Sequence, residues 1–189
     1  MVDTLYDQAM GGNAAVACFY FDSATQEEQS PAAILGSVLK QVVGGLSEVP
    51  EKIVKAFRER KRVIGGPRLV LSEIIEFLQD ISSSQCIFMC IDALDECQAG
   101  HRAKLLDSLS QIIRGSPGAR IYLTGRPHIR AEVERYLARR LATTSLTPTK
   151  DDITEFIRAR LREDTVLDAM DQSLEEEIIR DIPERVSDM

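Results

Sequence analysis

The sequence has no tryptophan, only two histidines and only four cysteines. Zinc modules need Cys and His at short, paired spacings. Cys18, Cys86, Cys90 and Cys97 do not show that pattern, and two histidines cannot complete it. A zinc module is therefore excluded. Cys18, Cys86 and Cys90 read instead as reduced, small hydrophobes on buried strands. No apolar run approaches the ~20 residues that cross a bilayer. The first ten residues carry acids but no basic stretch of the kind that opens a signal peptide. The expectations are no membrane association and, by default, a cytoplasmic location. Internal repeats and low-complexity tracts are also missing.

What is present suits one soluble domain with a sizeable core: 189 residues, 44% hydrophobic and 28% charged. The net charge of −7 is unevenly spread. Residues 151–189 hold 13 acids against 5 arginines, so the rest of the chain is close to neutral. An acidic C-terminal stretch argues against a general nucleic-acid binder. The basic cluster Arg58, Arg60, Lys61, Arg62 reads as a solvated helix end, favoured there by the helix dipole.

The chain is organised around Cys86 to Cys97 (Cys-Ile-Phe-Met-Cys-Ile-Asp-Ala-Leu-Asp-Glu-Cys). Cys86 to Ile91 is too short for a helix and does not alternate, which suits a strand buried on both faces of a parallel sheet. It runs directly into Asp92, Asp95 and Glu96. Open α/β sheets bind ligands beyond the carboxyl ends of their strands. Carboxylates placed there can hold Mg²⁺ or orient a water. An Asp after a buried strand can equally be a turn former or a helix cap. Three acids in five positions favour a site, because clustered like charges are costly without a neutralising partner.

Around this stretch the pattern predicts an α/β protein. Val16 to Phe21 is a strand. Ser30-Pro31 opens a helix that buries Ile34, Leu35, Val38, Leu39 and Val42. Helices follow over about 50–61 (Ile53, Val54 and Phe57 inward) and 68–81 (Leu71, Ile74, Ile75 and Leu78 inward), separated by Gly65-Gly66-Pro67. After the acids, residues 100–114 form a helix with Leu105, Leu106, Leu109, Ile112 and Ile113 inward. Residues 120–124 form a strand. One helix between two strands makes a βαβ unit, so these strands are expected to be parallel neighbours. A basic helix follows over 128–140, then a weak edge strand over 142–146. Thr149 with Asp152 and Ser173 with Glu176 form capping boxes of two last helices, and the chain ends after Pro183 without a clear element. Met1 to Met10 could form a helix ending at Gly11-Gly12.

Two parallel neighbours thus end in Asp92…Asp95-Glu96 and in Thr124-Gly125-Arg126. A guanidinium beside carboxylates can be an ion pair tying two loops together, or an arginine that reads a phosphate. Residue types leave both open.

Ile91-Asp92-Ala93-Leu94-Asp95-Glu96-Cys97 resembles the Walker B segment of NACHT-type P-loop NTPases of the signal-transduction (STAND) class. Tyr122-Leu123-Thr124-Gly125-Arg126-Pro127-His128-Ile129 resembles that family's sensor-1 segment. Val16 to Asp22 is similar to the strand preceding its long helical crossover. Leu146-Thr147-Pro148 with Asp151-Asp152-Ile153 is similar to its last core strand and following helix. The likeness is to the fungal NACHT and nephrocystin-like N-terminal kind, whose longer members often carry ankyrin or WD40 repeats. It implies a three-layer P-loop NTPase-like parallel sheet flanked by helices. It also implies a nucleotide switch that uses Mg²⁺ with ATP or GTP and self-associates in signalling. On this resemblance Asp92 would hold Mg²⁺ through water, and Asp95 and Glu96 would position the attacking water. Arg126 would sense the γ-phosphate, with Thr124 as its polar neighbour.

The sequence departs from the family in one respect: it contains no G-x-x-x-x-G-K-[ST], the loop that cradles phosphates. The resemblance then implies an incomplete core over 1–148, beginning inside the helix after that loop. A helical extension over 149–189 would lead towards an absent winged-helix region. Nucleotide binding is expected to be weak or lost, and hydrolysis inefficient. An open sheet edge would invite self-association. The alternative is a non-enzymatic interaction scaffold with a degenerate site. A third reading is a metal-dependent nuclease or phosphatase. It lacks support because such sites draw acids from several elements and no other strand ends in a comparable cluster.

Overall fold

The computed structural model describes residues 14–21, 29–61, 69–137, 141–163 and 172–187. The chain divides into two compact units, residues 1–141 and 142–189. The expectations for Met1–Met10, Asp22, Arg62 and Gly65–Pro67 lie outside the described residues.

In the first unit three strands, β1 (Ala14–Tyr20), β2 (Cys86–Asp92) and β3 (Ala119–Leu123), form a parallel sheet in the order β1-β2-β3. The predicted β2–β3 neighbourhood is thereby met. Helices α1 (Pro31–Gly44), α2 (Glu51–Lys61) and α3 (Leu71–Ser84) connect β1 to β2. Helix α4 (Ala99–Gly115) connects β2 to β3, and α5 (Arg130–Leu137) follows. This is the expected α/β class, a parallel sheet flanked by helices.

Parallel connections are almost always right-handed, so strands laid down in sequential order carry their crossover helices on one face. The core agrees. Alternate strand residues Ala15, Ala17, Phe21, Ile87, Met89, Ile91 and Ala119 share one hydrophobic cluster with Ile34, Leu35, Leu78, Leu105 and Leu109. The opposite set, Val16, Cys18, Phe88 and Cys90, lies outside that cluster. β2 is consequently buried most fully on one face, whereas Cys86 and Phe88 on the other are half-buried.

Helix signals in the sequence are matched closely. The Ser30 hydroxyl accepts from the Ala33 N–H at 3.2 Å, and Pro31 occupies the first turn. All five predicted core residues of α1 are buried. α3 begins at Leu71 and buries Phe77 and Ile81 in addition to Ile74, Ile75 and Leu78. α2 departs from expectation: Ile53 is buried but Phe57 is exposed. Ion pairs also link α2 to α3, through Lys52 to Glu76 and Asp80 (2.5 and 2.9 Å) and Arg60 to Glu73 (2.6 Å). Arg60 of the basic cluster is therefore engaged rather than simply solvated.

The predicted strand over 142–146 does not form. Those residues join no ladder among the described residues, and Leu146 is 91% exposed. A polar strand with one apolar end residue has little to bury, so it gains nothing from joining a sheet. This stretch groups with the second unit, where α6 (Lys150–Glu163) packs on α7 (Gln172–Ser187). The Thr149–Asp152 capping box is formed: each residue's backbone N–H donates to the other's side chain, at 2.8 and 3.2 Å. The Thr149 hydroxyl, donating to Asp152 Oδ2 at 2.7 Å, and then the Thr149 N–H hold the Asp152 carboxyl below its usual range. Ile157 is buried, whereas the adjacent Phe156 is exposed. α7 corrects another expectation. It runs through Pro183 to Ser187, with Pro183 buried and one backbone bond forgone.

Candidate functional site

β2 delivers Asp92 and β3 delivers Thr124 to the same edge, because the two strands run in register from Ile87↔Ala119 to Ile91↔Leu123. The ladder continues past both strand ends: Thr124 N–H donates to the Ile91 carbonyl (3.0 Å), and Leu94 N–H donates to the Thr124 carbonyl (2.9 Å). Between them Ala93 adopts a left-handed conformation (φ 55°, ψ 44°). A non-glycine residue in that conformation costs about 1 kcal/mol. Its N–H is held by the Thr124 hydroxyl at 3.0 Å, and that hydroxyl in turn donates to Asp92 Oδ1. The bend turns the chain into a short 3-10 turn over Leu94–Glu96 and drives Leu94 fully into the core.

The same turn faces Asp95 towards the loop after β3. Asp95 Oδ1 accepts the Arg126 backbone N–H at 3.1 Å, and Oδ2 lies 3.3 Å from Arg126 Nε. The Asp95 side chain is only 8% exposed, while that of Arg126 is 76% exposed. Asp95 therefore acts first as a fixed anchor for the loop. The guanidinium remains in water, where one long ion contact contributes at most about 1 kcal/mol. Glu96 is half-buried, and among the described residues its carboxylate has no hydrogen-bond or ion-pair partner. Gly125 allows the close approach: a Cβ there would lie 2.7 Å from Ile129 Cδ1 and 3.5 Å from the Asp95 nitrogen.

All five predicted site residues thus lie at one sheet edge, as two bonded pairs and one carboxylate without a partner. They do not form a cation cage: among the described residues no group of three or more His, Cys, Asp or Glu could hold a metal. Mg²⁺ does not require one, because it keeps most of its waters and takes one or two carboxylates together with substrate phosphates. The donors present fit such a use. Asp92 supplies a hard oxygen at a strand tip, Glu96 a carboxylate without a partner among the described residues, and Arg126 a solvated cation on the loop after β3. The thiol closing the motif, Cys97, is buried. Burial pushes it up to about 11.

Sequence reading missed Arg102. From α4 its guanidinium donates to the Cys97 carbonyl at 2.9 Å and the Asp95 carbonyl at 3.3 Å, and pairs with Glu132 of α5 at 2.8 Å. It is 13% exposed. The available signal was a cation in an early turn of a helix, where the dipole disfavours it, which points to a tertiary partner.

Among the described residues no helix is long and apolar enough to cross a membrane. A search of curated proteins returned no match. Among solved structures, the Walker-type ATPase Paby2304 of Pyrococcus abyssi is similar at 14% identity with a TM-score of 0.48. The match covers 98% of this chain and 63% of that one. The family model described as "Nephrocystin 3, N-terminal" matches residues 1–126 of the 189, the stretch that ends on Arg126 itself, and the chain belongs to that family.

Proposed function

We propose that the chain carries the metal-binding and phosphate-sensing half of a NACHT-type, STAND-class P-loop NTPase site of the fungal kind. The observation that carries this reading is the bonded meeting of the β2 and β3 ends, Asp92 with Thr124 and Asp95 with Arg126. Asp92, held by Thr124, would take Mg²⁺ through water. Mg²⁺, when bound with ATP or GTP, supplies charge neutralisation at the phosphates. Arg126 sits on a fixed loop with its guanidinium in solvent, so a γ-phosphate can compete for it against one weak contact to Asp95. Of the two acids assigned to the water, Glu96 is the unengaged one and Asp95 is committed to placing Arg126.

Without a G-x-x-x-x-G-K-[ST] in this chain the phosphates lack their backbone cradle. Phosphoryl transfer depends on positioning and electrostatics, so the chain as it stands binds nucleotide weakly and does not turn it over efficiently. The scaffold reading has one observation in its favour: Asp92 and Asp95 are already satisfied within the protein. Self-association, or contact with ankyrin or WD40 repeats in a longer protein, would then be the function.

Fluorescent ATP and GTP analogues, titrated with and without Mg²⁺, test the proposal. The expected outcome is weak Mg²⁺-dependent binding without turnover. It should be lost in Asp92→Ala and Arg126→Ala, and strengthened when a P-loop-bearing segment is fused to the chain. No binding even with that segment would leave only the scaffold.

A further inference from the structure

Cys18 and Cys90 occupy directly opposed positions on β1 and β2. Opposed residues of neighbouring strands project from the same face of a sheet. Here it is the face that the main hydrophobic cluster does not use, where Tyr20 and Tyr122 are exposed. Strands in a sheet lie about 4.8 Å apart. That falls within the ~4.4–6.8 Å Cα separation that a disulfide spans. The backbone of β1 is fixed at this rung. The Gln41 side chain of α1 accepts the Cys18 N–H at 2.9 Å and donates to the Cys18 carbonyl at 2.8 Å, clamping β1 against α1. Cys18 is half-buried and Cys90 buried. Burial first, and then the neighbouring Cys18 thiol, pushes Cys90 up to about 11.

We infer that Cys18 and Cys90 are a dithiol modification site, oxidised by low-molecular-weight disulfides to a cross-strand disulfide that staples β1 to β2. The half-buried Cys18, as thiolate, attacks one sulfur of the small disulfide. That S–S bond breaks, one thiol leaves with a proton, and a mixed disulfide remains on Cys18. The Cys90 thiolate then attacks the Cys18 sulfur, forming the Sγ–Sγ bond and expelling the second small thiol. Two protein thiols are oxidised and one small disulfide is reduced to two thiols. The second step is the slow one, because Cys90 is the more buried thiol. In a reducing compartment such a bond is transient and suits a sensor rather than a structural cross-link. The rung lies two residues before Asp92, so the staple would fix the strand that carries the candidate site. The inference stands independently of the nucleotide reading.

The test uses the full chain, reduced, exchanged and incubated with oxidised glutathione, then digested without reduction for peptide mass spectrometry. The expected result is the loss of two hydrogens from the intact mass, a Cys18–Cys90 linked peptide in excess over every other pairing, and reversal by dithiothreitol. Cys90→Ser should instead accumulate a glutathione adduct on Cys18, and Cys18→Ser should yield no link. Circular dichroism checks that each variant folds, and Cys90→Ala or Cys18→Ala replaces one that does not. In urea the preference for this pair should vanish. A lasting adduct on wild-type Cys18, oxidation confined to Cys86, no oxidation, or the same preference in urea would each overturn the inference.

Discussion

Arg102 makes three bonds that no other described residue makes: it joins the acidic turn to α4 and, through Glu132, to α5. The Asp95 and Cys97 carbonyls would otherwise be left partly unsatisfied, and Glu132 would lose its cation. Replacing Arg102 by Met keeps much of the stem's packing but removes every donor. The expected cost is about 1–3 kcal/mol, read as a lower urea midpoint with unchanged slope. Glu132→Gln should cost less, because an acceptor remains. Equal losses in the two variants would mean that the bonds to the turn contribute nothing. Asp95 and Arg126 show the complementary case, in which the backbone bond fixes the loop and the exposed guanidinium contributes little to stability. Its value lies in what it can meet.

Elements here are positioned by a few close approaches. Gly118, at the turn into β3, is one: a Cβ there would lie 2.3 Å from the Ser82 carbonyl oxygen and 2.6 Å from that of Gln85. Both are backbone atoms at the end of α3 and cannot swing aside. The Gly118 carbonyl also accepts the Ile87 N–H at 3.0 Å, the first rung between β2 and β3. Gly118→Ala should cost about 3 kcal/mol, at the upper end of overpacking effects, measured by thermal or chemical denaturation. A neutral result would mean that the turn is looser than this geometry. The edge of β1 is managed differently, by the Gln41 side chain at Cys18. Gln41→Ala should lose about 1–2 kcal/mol for two bonds to half-buried backbone. It should also free that edge for pairing with another copy, seen as a larger species in light scattering. Unchanged stability and an unchanged monomer fraction would show that the clamp is incidental.

At the scale of the whole chain, the hydrophobic cluster among the described residues is drawn from positions ahead of Ala142. The second unit holds its own pair of helices. A chain ending at Leu141 should therefore keep a cooperative melt and nearly full helical circular dichroism per residue. Loss of the transition would show that residues 142–189 are needed for the core. The uneven charge follows the same division, because the whole acidic surplus lies within residues 142–189.

Sequence alone determined the elements that depend on local physics. Periodicity placed the buried faces of α1, α3 and α4. Ser30-Pro31 and Thr149–Asp152 marked caps, and the apolar run ending at Asp92 marked the central strand. The single helix between β2 and β3 was enough to make them parallel neighbours, which brought Asp92 and Arg126 to one edge. Tertiary structure decided what depends on partners far along the chain. It left Phe57 exposed despite helical spacing, because a period defines a face but not whether anything lies against it. It left residues 142–146 without a strand, since a ladder needs a neighbour. It carried α7 through Pro183, where burial offsets one lost bond. It also separated the three acids by role, Asp92 to Thr124, Asp95 to the Arg126 loop and Glu96 without a partner. Those bonds cross some thirty residues, and no local pattern encodes them.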